Sequence, residues 1–215
     1  MLVIFLSICY PAKAYEDSDS INEFTNYLDR HITELMKSYE IPGVNIALIQ
    51  EGGIIWSKAY GYADLEQGRK MTIDAICRVE SISKSVTAWG LMKLVEQGKV
   101  KLDDPVQQYI KGWSFPETEF SEEDITIRQL LSHTAGMPLG SIGVHYAPES
   151  EKPSLEESLF EEAQLIKEPG SSFLYSNVGF KLLELLIEEV TGREFAEYME
   201  KEVLKPLGMD NSSFT

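Results

Sequence analysis

Arg78-Val79-Glu80-Ser81-Ile82-Ser83-Lys84-Ser85-Val86-Thr87-Ala88-Trp89-Gly90-Leu91-Met92-Lys93-Leu94-Val95-Glu96-Gln97-Gly98-Lys99-Val100 reads as one helix with a reactive group at its start. Apolar residues recur at Val86, Trp89, Leu91, Met92, Leu94 and Val95, close to the helical period. This predicts that most of the helix circumference is buried, with Trp89 and Met92 in the core. Gly98 is the expected stop. Ser81 falls in the first turn, where free backbone N–H groups and the positive end of the helix dipole favour negative charge. Lys84 follows three residues later on the same face. A serine hydroxyl is a poor nucleophile at neutral pH until a neighbouring base takes its proton. Ser-x-x-Lys supplies both groups from one turn, although alone it also describes a solvated surface pair. An ammonium group on a face that must pack needs a partner, and that partner has to come from elsewhere in the chain.

The 215 residues are 43% hydrophobic and 25% charged, enough for a domain with a real core. The formal net charge of −16 argues against nucleic acid or an anionic membrane surface as a partner. Leu2 to Tyr10 is a short apolar run followed by Pro11-Ala12-Lys13-Ala14, and Ala12-x-Ala14 has the form of a signal-peptidase site. The expectation is a signal peptide over residues 1–14, a domain over 15–215, and export from a bacterial cell to the periplasm or the exterior of the envelope. The run is too short to span a membrane, no Lys or Arg precedes it, and Ile8 stands before Cys9 where a lipoprotein site needs a small residue. Cys77, the cysteine left after cleavage, lies just before the helix and is expected in the core.

Read in order, Ser20-Ile21-Asn22-Glu23 has the form of a capping box, and Ile21, Phe24, Leu28, Ile32 and Leu35 continue a helix to about Tyr39. Val44–Gln50 and Ile54–Tyr62 are β-prone runs joined by Glu51-Gly52-Gly53, a hairpin. After the central helix, Leu102-Asp103-Asp104-Pro105 turns into a short helix with Pro105 at its first position. Thr126 and Ser154 cap two further helices. Ser132-His133-Thr134-Ala135-Gly136 ends the first of these, and Met137–Pro153 reads as loop. Asn177 is a candidate cap for a helix that carries Phe180, Leu182, Leu183, Leu185, Leu186 and Val190 to Gly192. A last helix runs from about Glu194 to Leu204. The order predicts an α+β protein, with a hairpin of an antiparallel sheet followed by a helical block.

Tyr175-Ser176-Asn177 lies on the connection after Pro169-Gly170, just before that helix. Together with Ser81-x-x-Lys84 it resembles the second motif of the class C β-lactamase and DD-peptidase superfamily of secreted serine hydrolases. Gly61-Tyr62-Ala63-Asp64, Leu102-Asp103-Asp104-Pro105, Ile125 through Gly136, and Pro206-Leu207-Gly208-Met209 are similar to further stretches of that family and occur in its order. The resemblance implies a β-lactamase/transpeptidase-like fold in which Ser81 attacks a carbonyl and becomes acylated. It implies that Lys84 holds its charge near Ser81 and Tyr175, lowering the cost of phenolate or relaying the proton, and that Tyr175 is the general base. An ordinary tyrosine titrates near 10, so cationic charge must favour its ionised form. By the same resemblance Asn177 donates to the substrate amide and toward Lys84, and the Ser81 backbone N–H forms half of the oxyanion hole. His133 looks catalytic, but the matching family stretch is structural. His31 and His145 have no metal-ligand spacing, and no cofactor or metal is expected. Glu80 departs from the small residue often found before this serine.

The superfamily's third motif, Lys-Thr-Gly or His-x-Gly on a downstream strand, has no match in the sequence. The remaining sheet strands are therefore expected to be missing and the sequence to be the N-terminal part of such an enzyme. Three functions follow from this. The first is a serine hydrolase acting through an acyl-enzyme on β-lactams, D-amino-acid peptides or small esters. The second is an inactive relic, and the third is a protein that binds penicillin or peptide without turnover.

Overall fold

The structure is a computed structural model and describes residues 18–142 and 152–214. The expected signal peptide and His145 lie outside the described residues, as does most of the loop expected before Pro153. The chain forms two compact units that divide between Val79 and Glu80.

In the first unit, α1 (Ser18–Ser38) precedes an antiparallel sheet of β1 (Gly43–Gln50), β2 (Gly53–Asp64) and β3 (Arg69–Lys70). The chain is already helical at Ser18, so Ser20 lies inside α1 and the expected capping box is not its start. The hairpin is as predicted. Glu51 and Gly52, at φ 49° and 78°, form a two-residue turn with both central residues left-handed, whose twist matches that of the strands. The register slips after Leu48, leaving Ile55 as a bulge between Trp56 and Ile54. Two residues carry too little pattern to announce β3, which pairs Lys70 with Tyr62 and Arg69 with Asp64. Asp29 of α1 ties the helix to β2. It accepts from Lys58 Nζ at 2.6 Å and from the Tyr60 hydroxyl. These bonds, Lys58 first, hold its carboxyl below the usual range.

The second unit is helical and is built around α2 (Ser83–Glu96). A 3-10 turn over Glu80–Ile82 carries Ser81, so the regular helix starts later than the sequence suggests. Glu80 has φ 47°, a left-handed conformation that swings the chain sharply into the turn and prevents a helix running from Arg78. Thr87, Gly90, Leu91 and Leu94 form the buried stripe of α2. Trp89 and Met92, expected in the core, are 57% and 44% exposed. Apolar residues surround this helix, and periodicity alone does not tell which stripe packs. Here the stripe set by Gly90 does. A Cβ on Gly90 would lie 2.5 Å from Met199 Sδ, and Tyr198 donates to the Gly90 carbonyl at 2.9 Å. The absence of a side chain lets α6 approach the backbone of α2.

Around α2 stand α3 (Ile127–Leu131), α4 (Leu155–Glu162), α5 (Val178–Thr191) and α6 (Phe195–Met199). The last of these continues as a π-helical turn over Glu200–Leu204. Thr126 and Ser154 each close a reciprocal capping box, as read from the sequence. Pro105 stands just outside its 3-10 turn (Val106–Gln108) and bridges to Thr126 instead of opening the turn. α5 is the core element, with Val178, Gly179, Leu182, Leu183, Leu185, Leu186 and Ile187 all buried, and it ends at Gly192 with φ 65°. This packing carries an electrostatic cost at Glu184. Burial first and the Glu188 carboxylate second push its pKa up to about 7, against the opposing pull of Lys181. A carboxyl raised in the folded state favours folding while protonated, and that contribution is lost as pH rises from the ordinary carboxylate range through about 7. Glu184→Gln should therefore raise the melting temperature near pH 8 and leave it nearly unchanged near pH 4. Calorimetry at the two pH values checks this, and equal melting temperatures at both would mean that Glu184 is solvated in the folded protein.

Candidate active site

Three elements of the helical unit bring the site together. The 3-10 turn presents Ser81, the first turn of α2 presents Lys84, and the connection leading into α5 presents Tyr175. The Tyr175 hydroxyl donates to Ser81 Oγ at 2.8 Å across 94 residues of chain, and Lys84 Nζ donates to the same oxygen at 3.2 Å. The Lys84 ammonium also stands 5.0 Å from the centre of the Tyr175 ring and 5.7 Å from that of Phe180. Lys84 thus has the partners that a packed lysine requires, and both belong to the predicted site.

The electrostatics follow from this arrangement. Burial raises the Tyr175 phenol and is the largest single influence, but the hydrogen bonds to Lys84 and Ser81, with the Lys84 charge, together outweigh it and leave the phenol below its ordinary value. The ionised form is favoured where the site needs a base. Ser81 is exposed and Tyr175 is 36% exposed, so the pair faces solvent on one side.

Asn177 stands at the start of α5, but its side chain does not cap that helix. The cap is Ser176, buried at 3% exposure, whose Oγ accepts from Gly179 N–H at 3.0 Å and donates to the Pro138 carbonyl at 2.6 Å. Serine caps as well as asparagine, and a hydroxyl three residues before Gly179 was the signal for it. Asn177 Nδ2 reaches the Ser141 carbonyl at 3.5 Å and its backbone N–H donates to Leu139 O at 2.9 Å. This fixes the residue against the segment after Gly136. His133 packs here, as the sequence suggests, with its ring 4.4 Å from that of Tyr175. Gly136, at φ 75°, could not be replaced, because a Cβ would lie 2.0 Å from Lys167 O. Among the described residues no cluster of His, Cys, Asp or Glu is arranged to hold a metal ion, and no helix is long and apolar enough to cross a membrane. Cys77 is half-buried instead of lying in the core, its thiol 3.6 Å from Ala75 O, because it sits in an irregular segment ahead of the helix.

The sequence profile of the Beta-lactamase family matches residues 28–215. Protein flp of Staphylococcus aureus (strain N315) is 29% identical over 195 residues, covering 90% of this chain and 39% of its own length. The octameric penicillin-binding protein homologue from Pyrococcus abyssi superposes with a TM-score of 0.72 at 32% identity, over 86% of this chain and 43% of that one. The D-amino acid amidase from Ochrobactrum anthropi SV3, solved with L-phenylalanine, superposes at 0.66 with 29% identity, over 80% and 47%. The chain spans less than half the length of each of these proteins. The α+β fold with its small antiparallel sheet is that of the superposed structures, of which this chain covers a part. On the family match over residues 28–215, the chain belongs to the Beta-lactamase family, within the superfamily of serine β-lactamases and penicillin-binding proteins.

Proposed function

We propose that this chain carries the nucleophile and base of an exported serine hydrolase that works through an acyl-enzyme. The observation that carries the reading is one oxygen, Ser81 Oγ, hydrogen-bonded at once to Tyr175 and Lys84. With Tyr175 ionised, its oxygen takes the Ser81 proton as Oγ bonds to the substrate carbonyl carbon. The carbonyl π electrons move to its oxygen, where the Ser81 backbone N–H is one donor. When the tetrahedral adduct collapses, the bond to the leaving group breaks, and the departing amine or alcohol takes its proton from Tyr175. Water repeats the sequence and frees the serine. The Lys84 ammonium favours phenolate over phenol at Tyr175. Asn177 orients the acyl amide. The substrate class consists of β-lactams, D-amino-acid peptides or small esters. The similarity to a penicillin-binding protein homologue and to a D-amino acid amidase supports it. The leader-like residues 1–14 support export.

Ser81→Ala should abolish covalent labelling by a fluorescent penicillin or by p-nitrophenyl acetate, read as intact mass. Labelling that survives would remove Ser81 as nucleophile. A stable adduct with no turnover would instead favour the penicillin-binding reading.

Tyr175→Phe should slow acylation by about 10²–10⁴, the usual weight of a general base, with circular dichroism unchanged. An unaltered rate would exclude Tyr175 as the base. Because Lys84 lowers the phenol, Lys84→Gln should move the rise of acylation rate with pH upward, toward the ordinary tyrosine value near 10. A midpoint that stays in place would assign the rise to another group.

A further inference from the structure

His133 has a relation to Tyr175 that its place in a helix-ending turn does not announce. Its ring Nδ1 accepts from the Ser176 backbone N–H at 3.1 Å. Its own carbonyl accepts from the Leu174 backbone N–H at 2.7 Å. Leu174 and Ser176 are the residues on either side of Tyr175, so one residue grips the chain both before and after the base. The His133 ring then lies against the Tyr175 ring, at 4.4 Å between centroids and tilted by 37°. Phe173 and Phe180 complete the surround at 5.9 and 5.3 Å.

The grip depends on an unusual backbone. His133 has φ 57°, in the left-handed region that β-carbon sterics disfavour in most residues and that Asn, Asp and His tolerate best. That conformation lets a single residue aim its carbonyl and its ring at the same strand of chain. A residue held in this region persists only where its surroundings hold it, and such residues gather at functional sites.

We propose that His133 is the positioning residue of the general base: its unprotonated Nδ1 and its carbonyl hold the amides flanking Tyr175, and protonation of the ring releases the Ser176 side of the grip. This rests on Tyr175 acting as the base. Nδ1 can accept only when the proton of the neutral ring is on Nε2, so the bond selects one tautomer. Once both ring nitrogens carry protons, the Ser176 N–H faces a donor and is left without its partner. The titratable groups facing the ring are Lys84 from α2 and Tyr175 itself, while Phe173 and Phe180 carry no charge. Burial first and the Lys84 charge second hold the imidazole below its ordinary value, so the neutral, gripping form prevails at neutral pH. The sign is fixed by this. The grip is complete above the ordinary imidazole range and is lost as the pH falls below it.

Two substitutions separate the parts. His133→Asn keeps an acceptor at the position of Nδ1 and suits the left-handed backbone, but it cannot be protonated. His133→Phe keeps the ring stack and loses the acceptor. The probes are a fluorescent penicillin and p-nitrophenyl acetate on the full chain, with single-turnover acylation followed by intact mass across pH. We expect His133→Asn to stay within about threefold of the parent and His133→Phe to fall by about 10²-fold at saturating probe, the scale of a misplacement near 1 Å, with half-saturation unchanged. On the acid side the parent's rate should fall with one proton more than that of His133→Asn. In parallel, ¹⁵N spectra of the imidazoles, with His133 assigned by its substitution, should show Nδ1 unprotonated at neutral pH.

Equal rates for the Asn and Phe variants, equal acid slopes for parent and Asn variant, or a proton on Nδ1 at neutral pH would each overturn the proposal. Should His133→Phe fail to fold, the acid slopes and the tautomer decide. A parent chain that no probe acylates would overturn the hydrolase reading instead, and the ring spectra would still decide whether His133 orients Tyr175.

Discussion

The site depends on a single contact made across 94 residues of chain, that of the Tyr175 hydroxyl with Ser81 Oγ. Neither partner lies on a rigid element. Ser81 sits in a 3-10 turn and Tyr175 in a connection, so their approach is set by what each is anchored to. For Ser81 the anchor is α2, held at Gly90 by close approach of Met199 and Tyr198. For Tyr175 it is α5, buried along almost its whole inner surface and capped by Ser176. Core packing fixes the two helices, and the helices carry the reactive groups to within hydrogen-bonding reach. Replacing either anchor with a looser one would misplace the pair without touching any group that does chemistry.

Much of this was legible in the sequence because it is local. Capping boxes at Thr126 and Ser154, the hairpin turn, the stop at Gly192 and the Ser-x-x-Lys spacing all depend on residues a few positions apart, and all appear as read. The pairing of Ser81 with Tyr175 is not local. It came from the similarity of the two motifs to a family pattern, and the structure brings them together. What failed involved choices that local pattern does not constrain. A helix apolar on all sides does not declare which side packs, so Trp89 and Met92 were misjudged. Asn and Ser cap equally well, so Asn177 reads as the cap that its neighbour Ser176 in fact provides. The two-residue β3 offered no period at all.

Glu80 and His133 share a property that no side-chain pattern reveals. Both are non-glycine residues with positive φ, one immediately before the nucleophile and one gripping the chain around the base. Such conformations cost on the order of 1–3 kcal/mol each and survive only where neighbouring structure determines them. Here each turns the chain where a regular helix would carry a functional group away. Glu80 puts Ser81 at the mouth of α2, and His133 lets the end of α3 face the segment before α5. Glycine would relieve the strain at either position, but it would free the backbone, and at 133 it would remove the ring.

The outward stripe of α2 gives this chain an optical handle. Trp89 is on the helix that follows the nucleophile, about one and a half turns from Lys84, and largely in water, whereas Trp113 is 7% exposed in the core. An exposed indole emits at longer wavelength and is quenched by solutes that a buried one never meets. With Trp56 of β2 replaced by Phe, the emission of Trp89 registers anything that settles on that side of the helix, while Trp113 serves as an internal reference within the same molecule.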